Sequence, residues 1–239
     1  MKKEMRIREI LPTSVSITPK GLIADQLTKD QFDQCHALFF DEILKIKEAD
    51  ISGIDGYGEF DEECRTSYQS CRDFLLGTFN NEEEGYWYHW REMFDTKVLE
   101  KEFFETYYEK MIEKIEYCEG KRFLINNNTF FENMITDGQT MVGFPDWSRS
   151  GIGDWLIYLV IMDLNKPYLM VPELFVSYMQ EKKLKVTHLK ERFLCMAYYK
   201  GLDVLRWHAS IDDVESCESI MKSISSLEHR FDCMEWNEE

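Results

Sequence analysis

Behind Thr28, apolar residues recur at Phe32, Cys35, Phe39, Ile43 and Ile46, the spacing of one buried helical face, and the pattern runs to about residue 49. Thr28 and Gln31 stand three apart at its start. That is the arrangement of a capping box, in which each side chain satisfies a backbone N–H that the first turn leaves open. Further helical patterns follow at about 66–79, 86–94 and 97–117, the last with Phe103, Tyr107, Met111 and Ile115 on one face. The period returns at about 151–163, 172–183, 188–206 and 211–226. Pro172 suits the first turn of its helix, whereas Gly201 is a mild cost inside another. Residues 13–18 alternate weakly and are rich in β-branched side chains, which predicts one strand. Residues 50–61, with Gly53, Gly56 and Gly58, predict a shaped loop.

The segment 122–144 breaks the helical period. Two apolar runs, Phe123-Leu124-Ile125 and Met141-Val142-Gly143-Phe144, flank Asn133-Met134-Ile135-Thr136 and the dipeptide Asp137-Gly138. Asp-Gly between β-prone segments is a hairpin signal, because both residues tolerate the positive φ of a two-residue turn. No internal repeat or low-complexity linker divides the chain. The predicted fold is therefore one compact domain, mainly α with a small β insert (α+β).

Composition narrows the function classes. With 239 residues, 44 % apolar and 14 % aromatic, the chain can bury a substantial core. Its 28 Lys plus Arg against 45 Asp plus Glu give a net charge of −17. That field repels phosphate backbones and anionic lipid, so no nucleic acid and no membrane surface is expected as a partner. It attracts cationic ligands, although solubility alone is the commoner reason for excess acid. The longest apolar stretch, Trp155 to Met162, is far shorter than the roughly 20 residues of a membrane span. Met1 to Glu9 is charged with no apolar run behind it, so no secretory signal is expected. The seven cysteines have irregular spacing and no CxxC pair, which points to reduced thiols in a cytoplasmic protein rather than disulfides or zinc.

Candidate chemistry concentrates in the β insert. Asn126, Asn127 and Asn128 follow an apolar strand, Asn133 lies five residues after Asn128, and Asp146 eighteen after it. A carboxamide and a carboxylate brought together by a hairpin can ligate Mg²⁺ through oxygen; plain Asn-rich turns are the simpler reading. His36, His89, His188, His208 and His229 show no HExxH or paired spacing and read as structural or surface residues. Trp87, Trp90, Trp147, Trp155 and Trp207 either pack the core or line a sugar-stacking cleft, and Trp147, beside Asp146, is the best placed for the cleft. The acid runs Glu82-Glu83-Glu84 and Asp61-Glu62-Glu63 read as solvated loops, the second also placed to meet a cation. The tail from Met234 to Glu239 is acidic and expected to fray.

In series, these landmarks resemble the aminoglycoside phosphotransferases. The run Phe123-Leu124-Ile125-Asn126-Asn127-Asn128 through Asn133 is similar to that family's catalytic His-Gly-Asp or His-Ala-Asp with an Asn five residues after the Asp. Gly143-Phe144-Pro145-Asp146-Trp147-Ser148 looks like its hairpin ending in Ile-Asp-Trp, and Gly153-Asp154 follows. The hygromycin-phosphorylating members are the most similar, through Gly56-Tyr57-Gly58-x-Phe60, Arg72-Asp73-Phe74, Tyr88-His89-Trp90 and Gly201-Leu202-Asp203-x-Leu205. The resemblance covers about residues 20–226. It implies a kinase-like large lobe at 21–228, a remnant hinge segment at 1–20 and an acidic tail at 229–239.

Carried over residue by residue, the resemblance implies metal-ligand positions at Asn133 and Asp146 and a structural acid at Asp154. Arg149 stands where the hygromycin-type enzymes carry an acid, so a retained sugar site would be altered; Trp147, Arg149 and Trp90 are the candidates for lining the cleft. Asn128 occupies the catalytic Asp position and Asn126 that of the His. A carboxamide cannot take up a hydroxyl proton near neutrality, and general-base assistance is worth about 10²–10⁴-fold. The small lobe expected of such a kinase, about 50–60 residues with a glycine-rich phosphate loop, has no counterpart in the sequence before Gly21. The chain is thus expected to be a silent pseudokinase. It would bind a cationic, aminosugar-like small molecule or a protein partner through its acidic cleft, a homodimer through the strand at 13–18 being one form of the latter. No cofactor is expected in that case. The alternative is a residual aminoglycoside phosphotransferase using ATP and Mg²⁺, with a small lobe supplied in trans.

Overall fold

Helix α1 (Lys29–Lys47) begins where the capping box places it. Thr28 Oγ1 accepts from Gln31 N and Gln31 Oε1 accepts from Thr28 N. The buried face is Phe32, Cys35, Phe39 and Ile43, joined by Phe40, with Ile46 only partly covered. The structure, a computed structural model, describes residues 22–80, 86–95, 98–136 and 141–234. The strand expected at 13–18, the hinge segment at 1–20, the Glu82–Glu84 run, Asp137-Gly138 and the last five residues lie outside the described residues.

Helix α2 (Cys71–Gly77) is shorter than the predicted 66–79 because Ser70 caps it, accepting Asp73 N at 3.0 Å. The residues before it are extended instead, and Tyr68 exchanges backbone hydrogen bonds with Tyr57. This pairing needs Gly56. Its φ is +77° and a Cβ there would lie 2.3 Å from Tyr68 O. The helix predicted at 86–94 is only a 3₁₀ turn over Trp90–Asp95. Helix α3 (Lys101–Cys118) buries Phe104, Met111, Ile115 and Cys118, leaving Phe103 and Tyr107 at the margin of the stripe. The register belongs to Phe104 because its ring enters an aromatic cluster with Phe79, Trp90 and Phe94 at 5.2–5.6 Å between centroids.

Two small antiparallel sheets form the β insert. One orders β1 (Leu22–Ile23), β4 (Ile135–Thr136) and β5 (Met141–Gly143) as β1-β4-β5, with the β4–β5 pairing expected of a hairpin. The other orders β2 (Gly58–Glu59), β6 (Ser150–Gly153) and β3 (Phe123–Asn126) as β2-β6-β3. Strand β6 corrects the helix predicted from residue 151. A Cβ on Gly151 would lie 2.2 Å from Gly58 O, so glycine is what lets β2 lie against it.

Helix α4 (Ile157–Asn165) follows β6 and is buried continuously from Ile157 to Asp163, which is why the sequence there is apolar on every side. Around it pack α5 (Val171–Lys182), α6 (Leu189–Ser210) and α7 (Val214–Asp232). Pro172 sits in the first turn of α5. In α6, a Cβ on Gly201 would lie 2.4 Å from Ile224 Cδ1, so the glycine gives a close α6–α7 approach in return for its lower helix propensity. Helix α7 runs past the predicted 226. Arg230 binds Asp163 at 2.8 and 2.9 Å and Glu173 at 2.7 Å, and Phe231 is buried, so the tail boundary expected at 229 falls inside a helix. Among the described residues, no helix is long and apolar enough to cross a membrane.

Candidate functional site

Strand β3 delivers Asn126 to a loop that closes on itself through carboxamides. The buried Asn126 side chain donates from Nδ2 to Asp146 O at 2.6 Å and accepts Asn128 N at 2.9 Å. Its carbonyl accepts the Thr129 hydroxyl at 2.7 Å. An Asn in this setting replaces a backbone turn with its own side chain. Asn128 Nδ2 then donates to Asp146 Oδ2 at 2.5 Å, and Asn133 Nδ2 donates to Asn128 O at 2.9 Å. Asp146 Oδ1 accepts Ser148 N at 2.9 Å. The Ser148 backbone and side chain, with Asn128, hold the Asp146 carboxyl below its ordinary range against a modest opposing effect of burial. Asn128 thus contacts both Asn133 and Asp146.

These residues make a sparse cradle for a dication. Mg²⁺ demands six oxygens in near-octahedral geometry. Here one carboxylate and carboxamide oxygens are on offer, and both Asp146 oxygens already accept N–H groups. No group of three or more His, Cys, Asp or Glu able to hold a metal exists among the described residues. Mg²⁺ held here would take the rest of its six oxygens from water or a bound phosphate, with Asp146 as the carboxylate.

Beneath the loop lies a polar cluster that sequence reading missed. Asn127 Nδ2 donates to Glu59 Oε1 at 3.0 Å, while its Oδ1 is buried with no hydrogen-bond partner among the described residues. Arg149 binds Glu59 through Nε at 3.0 Å and a terminal nitrogen at 2.7 Å, and reaches Asp203 at 4.0 Å. Asp203 also receives Lys200 at 3.1 Å and Arg206 at 3.2 Å, all three from α6. Burial pushes Asp203 up, but Lys200, Arg149 and Arg206 outweigh it and hold the carboxyl below its ordinary range. Burial lowers Lys200 in turn, with Asp203 opposing. Arg206 packs on Trp87 at 3.8 Å. The signal in the sequence was Lys200, Asp203 and Arg206 recurring every three residues on an otherwise apolar helix; Glu59 carried none.

Asp154 is fully buried in a bidentate pair with Arg192 at 2.7 and 2.8 Å and accepts Leu156 N at 3.1 Å, fixing β6 to the start of α4 and to α6. Trp147 lies in the turn after Asp146, half-buried against the core, with its carbonyl accepting Ser150 N. Trp90, the third candidate for lining the cleft, sits among aromatic side chains. It is buried against Phe94 and Phe104, donates Nε1–H to Asn80 O, and forms the floor of a separate cavity of about 530 Å³ whose walls include Tyr86, Trp87 and Tyr88.

No family model and no curated protein matches the chain. Solved structures do. Aminoglycoside phosphotransferase APH(4)-Ia, as a thermostable mutant in its apo form, superposes with a TM-score of 0.71 at 19 % identity, over 90 % of this chain and 71 % of that one. A ternary complex of a thermostable mutant with AMP-PNP and hygromycin B gives the same score over 90 % and 70 %. APH(4)-Ia itself superposes at 0.71 with 17 % identity, over 88 % and 69 %. The chain has the kinase-like fold of aminoglycoside phosphotransferase APH(4)-Ia.

Proposed function

We propose that this chain is a catalytically silent, phosphotransferase-fold binding protein, with a cationic, aminosugar-like small molecule as its ligand. The observation that carries this is Asn128. A phosphoryl-transfer site orients the acceptor hydroxyl with a base, and the group at this point of the loop is a carboxamide whose N–H is directed at Asp146. Asn126, Asn128 and Asp146 are bonded to one another, a structural closure rather than a proton-accepting one. Asp146 and the acids of the 59–63 loop supply negative charge, while Arg149, paired to Glu59, changes how a sugar would be held. The cysteines are free among the described residues, five of them buried, which fits a cytoplasmic setting.

A thermal-shift titration tests this. Hygromycin B alone is expected to raise the melting temperature, and AMP-PNP with Mg²⁺ to leave it unchanged. Stabilisation by nucleotide and Mg²⁺ would instead favour residual phosphotransferase activity, which the contacts of Asn128 with both Asn133 and Asp146 keep as the second reading.

Asn128→Asp gives a sharper check on the loop. It sets a second carboxylate against Asp146 Oδ2, and two such neighbours cannot both ionise freely. The pair's folded pKa rises above the unfolded value, so the variant is destabilised at pH 7 by about 1–3 kcal/mol and recovers as pH falls below about 4. Millimolar Mg²⁺ should stabilise the variant and not the parent. Phosphorylation of hygromycin B is expected from neither. An Asn128→Asp protein as stable as the parent at pH 7 would show that the contact contributes nothing.

A further inference from the structure

Exposed apolar side chains are not scattered evenly. Of nine large ones exposed among the described residues, Tyr86, Tyr88, Trp207, Ile211 and Val214 gather at one place, each 45–67 % exposed. Trp207 and Ile211 are four apart at the end of α6, neighbours on one helical face, and Val214 opens α7 three residues on. Ser210 Oγ lies 3.2 Å from Tyr86 Oη, which joins this strip to the cavity lined by Tyr86, Trp87, Tyr88, Trp90, Met93 and Ser210. A concentration of this kind on a monomer marks an interaction surface.

The molecule itself shows what these rings accept. Arg206 packs its guanidinium on Trp87 from the interior at 3.8 Å, and Arg91 lies over Trp90 at 4.7 Å. The outward faces of Tyr86, Tyr88 and Trp207 offer the same electron-rich surface to an outside cation. Glu92, Asp95, Asp212 and Glu215 stand exposed around them, and His89 engages Glu92 at 2.7 Å. A second copy of the chain would bring another −17 to this rim, so charge argues against self-association here. The strip from Trp207 to Val214 continues beyond the cavity, giving room for more than one small cation.

We infer that this groove is a docking site for an arginine-bearing, partly apolar peptide segment of a partner protein. A guanidinium enters the Tyr86–Tyr88 cavity and apolar side chains lie along Trp207, Ile211 and Val214. The inference stands apart from the carboxamide loop and from the ligand proposed for it.

A fluorescent peptide, acetyl-Arg-Leu-Arg-Leu-Arg-amide, tests it by anisotropy at physiological salt. The expected result is micromolar binding, weakened about tenfold or more in Tyr88→Ser/Trp207→Ser, since exposed aromatic anchors dominate such contacts. Tyr168→Ser, at an exposed tyrosine elsewhere, should bind as the parent does. Equal binding by the double variant would overturn the inference, showing diffuse attraction to an acidic surface. So would no binding at millimolar peptide, equal affinity for free arginine amide, or a parent that sediments as a dimer the double variant abolishes.

Discussion

Asp203→Asn is expected to destabilise the protein by about 3–5 kcal/mol at pH 7, because it leaves the buried Lys200 without the carboxylate that binds it. Lys200 and Arg206 are almost fully buried and both bind this one carboxylate, with Arg149 close by. The Asn carboxamide keeps the shape and removes the charge. The pH dependence carries a signature that loss of packing would not. Asp203 is held below its ordinary range in the folded state. Its contribution is therefore fully present above the unfolded carboxylate pKa and lost as pH falls through the depressed folded value, so parent and variant converge below about pH 4. Lys200 works from the other side. Burial already lowers it, and without Asp203 it gives up its proton more readily. The variant should then regain stability relative to the parent as pH rises towards 10. Urea denaturation between about pH 2 and 10 measures both arms. A loss below about 1 kcal/mol at neutrality, or a gap that does not change with pH, would contradict the account.

Arg192→Met should cost about the same, roughly 3–5 kcal/mol, for a different reason. Asp154 has no exposed side-chain surface, and Arg192 supplies both charged hydrogen bonds to it. The methionine also abandons Thr187 O, which Arg192 holds at 3.0 Å. For a chain of this size the midpoint of thermal unfolding should fall by about 6–20 °C. Replacing both partners, as Asp154→Leu with Arg192→Met, removes the orphaned charge and should recover most of that loss. A double variant melting no higher than Arg192→Met would mean that the carboxylate's contact with Leu156 N, rather than the ion pair, was the essential one.

What could be read from the chain was what is local. Thr28 and Gln31 announce α1 within four residues, and β4 and β5 pair as the Asp-Gly signal predicts. The spacing of Asn128, Asn133 and Asp146 allows them to meet, with a plain Asn-rich turn as the simpler reading. Strand β6 was read as helix because Ser-Gly-Ile-Gly has no alternation to show; its conformation is set by β2 and β3 lying on either side. Met111 and Ile115 lie on the α3 stripe as the period predicts, but at its start Phe104 replaces Phe103 because its ring packs with Phe79 and Trp90, which no period in α3 reports. Glu59 and Arg149 are ninety residues apart, and their pairing became visible only once β2, β6 and α6 were in place.

The arrangement around α6 has a consequence for how the protein is made. This helix packs against α3, α4 and α7, yet its first residue is Leu189. From Lys101, the start of α3, to Leu189 is a stretch of 88 residues, about 4–18 s of synthesis at about 5–20 residues per second. During that time the apolar faces of α3 and of the almost wholly buried α4 have been synthesised without the surface that covers them. Slow codons placed between Lys101 and Leu189 would lengthen this exposure, whereas the same codons after Asp232 would not.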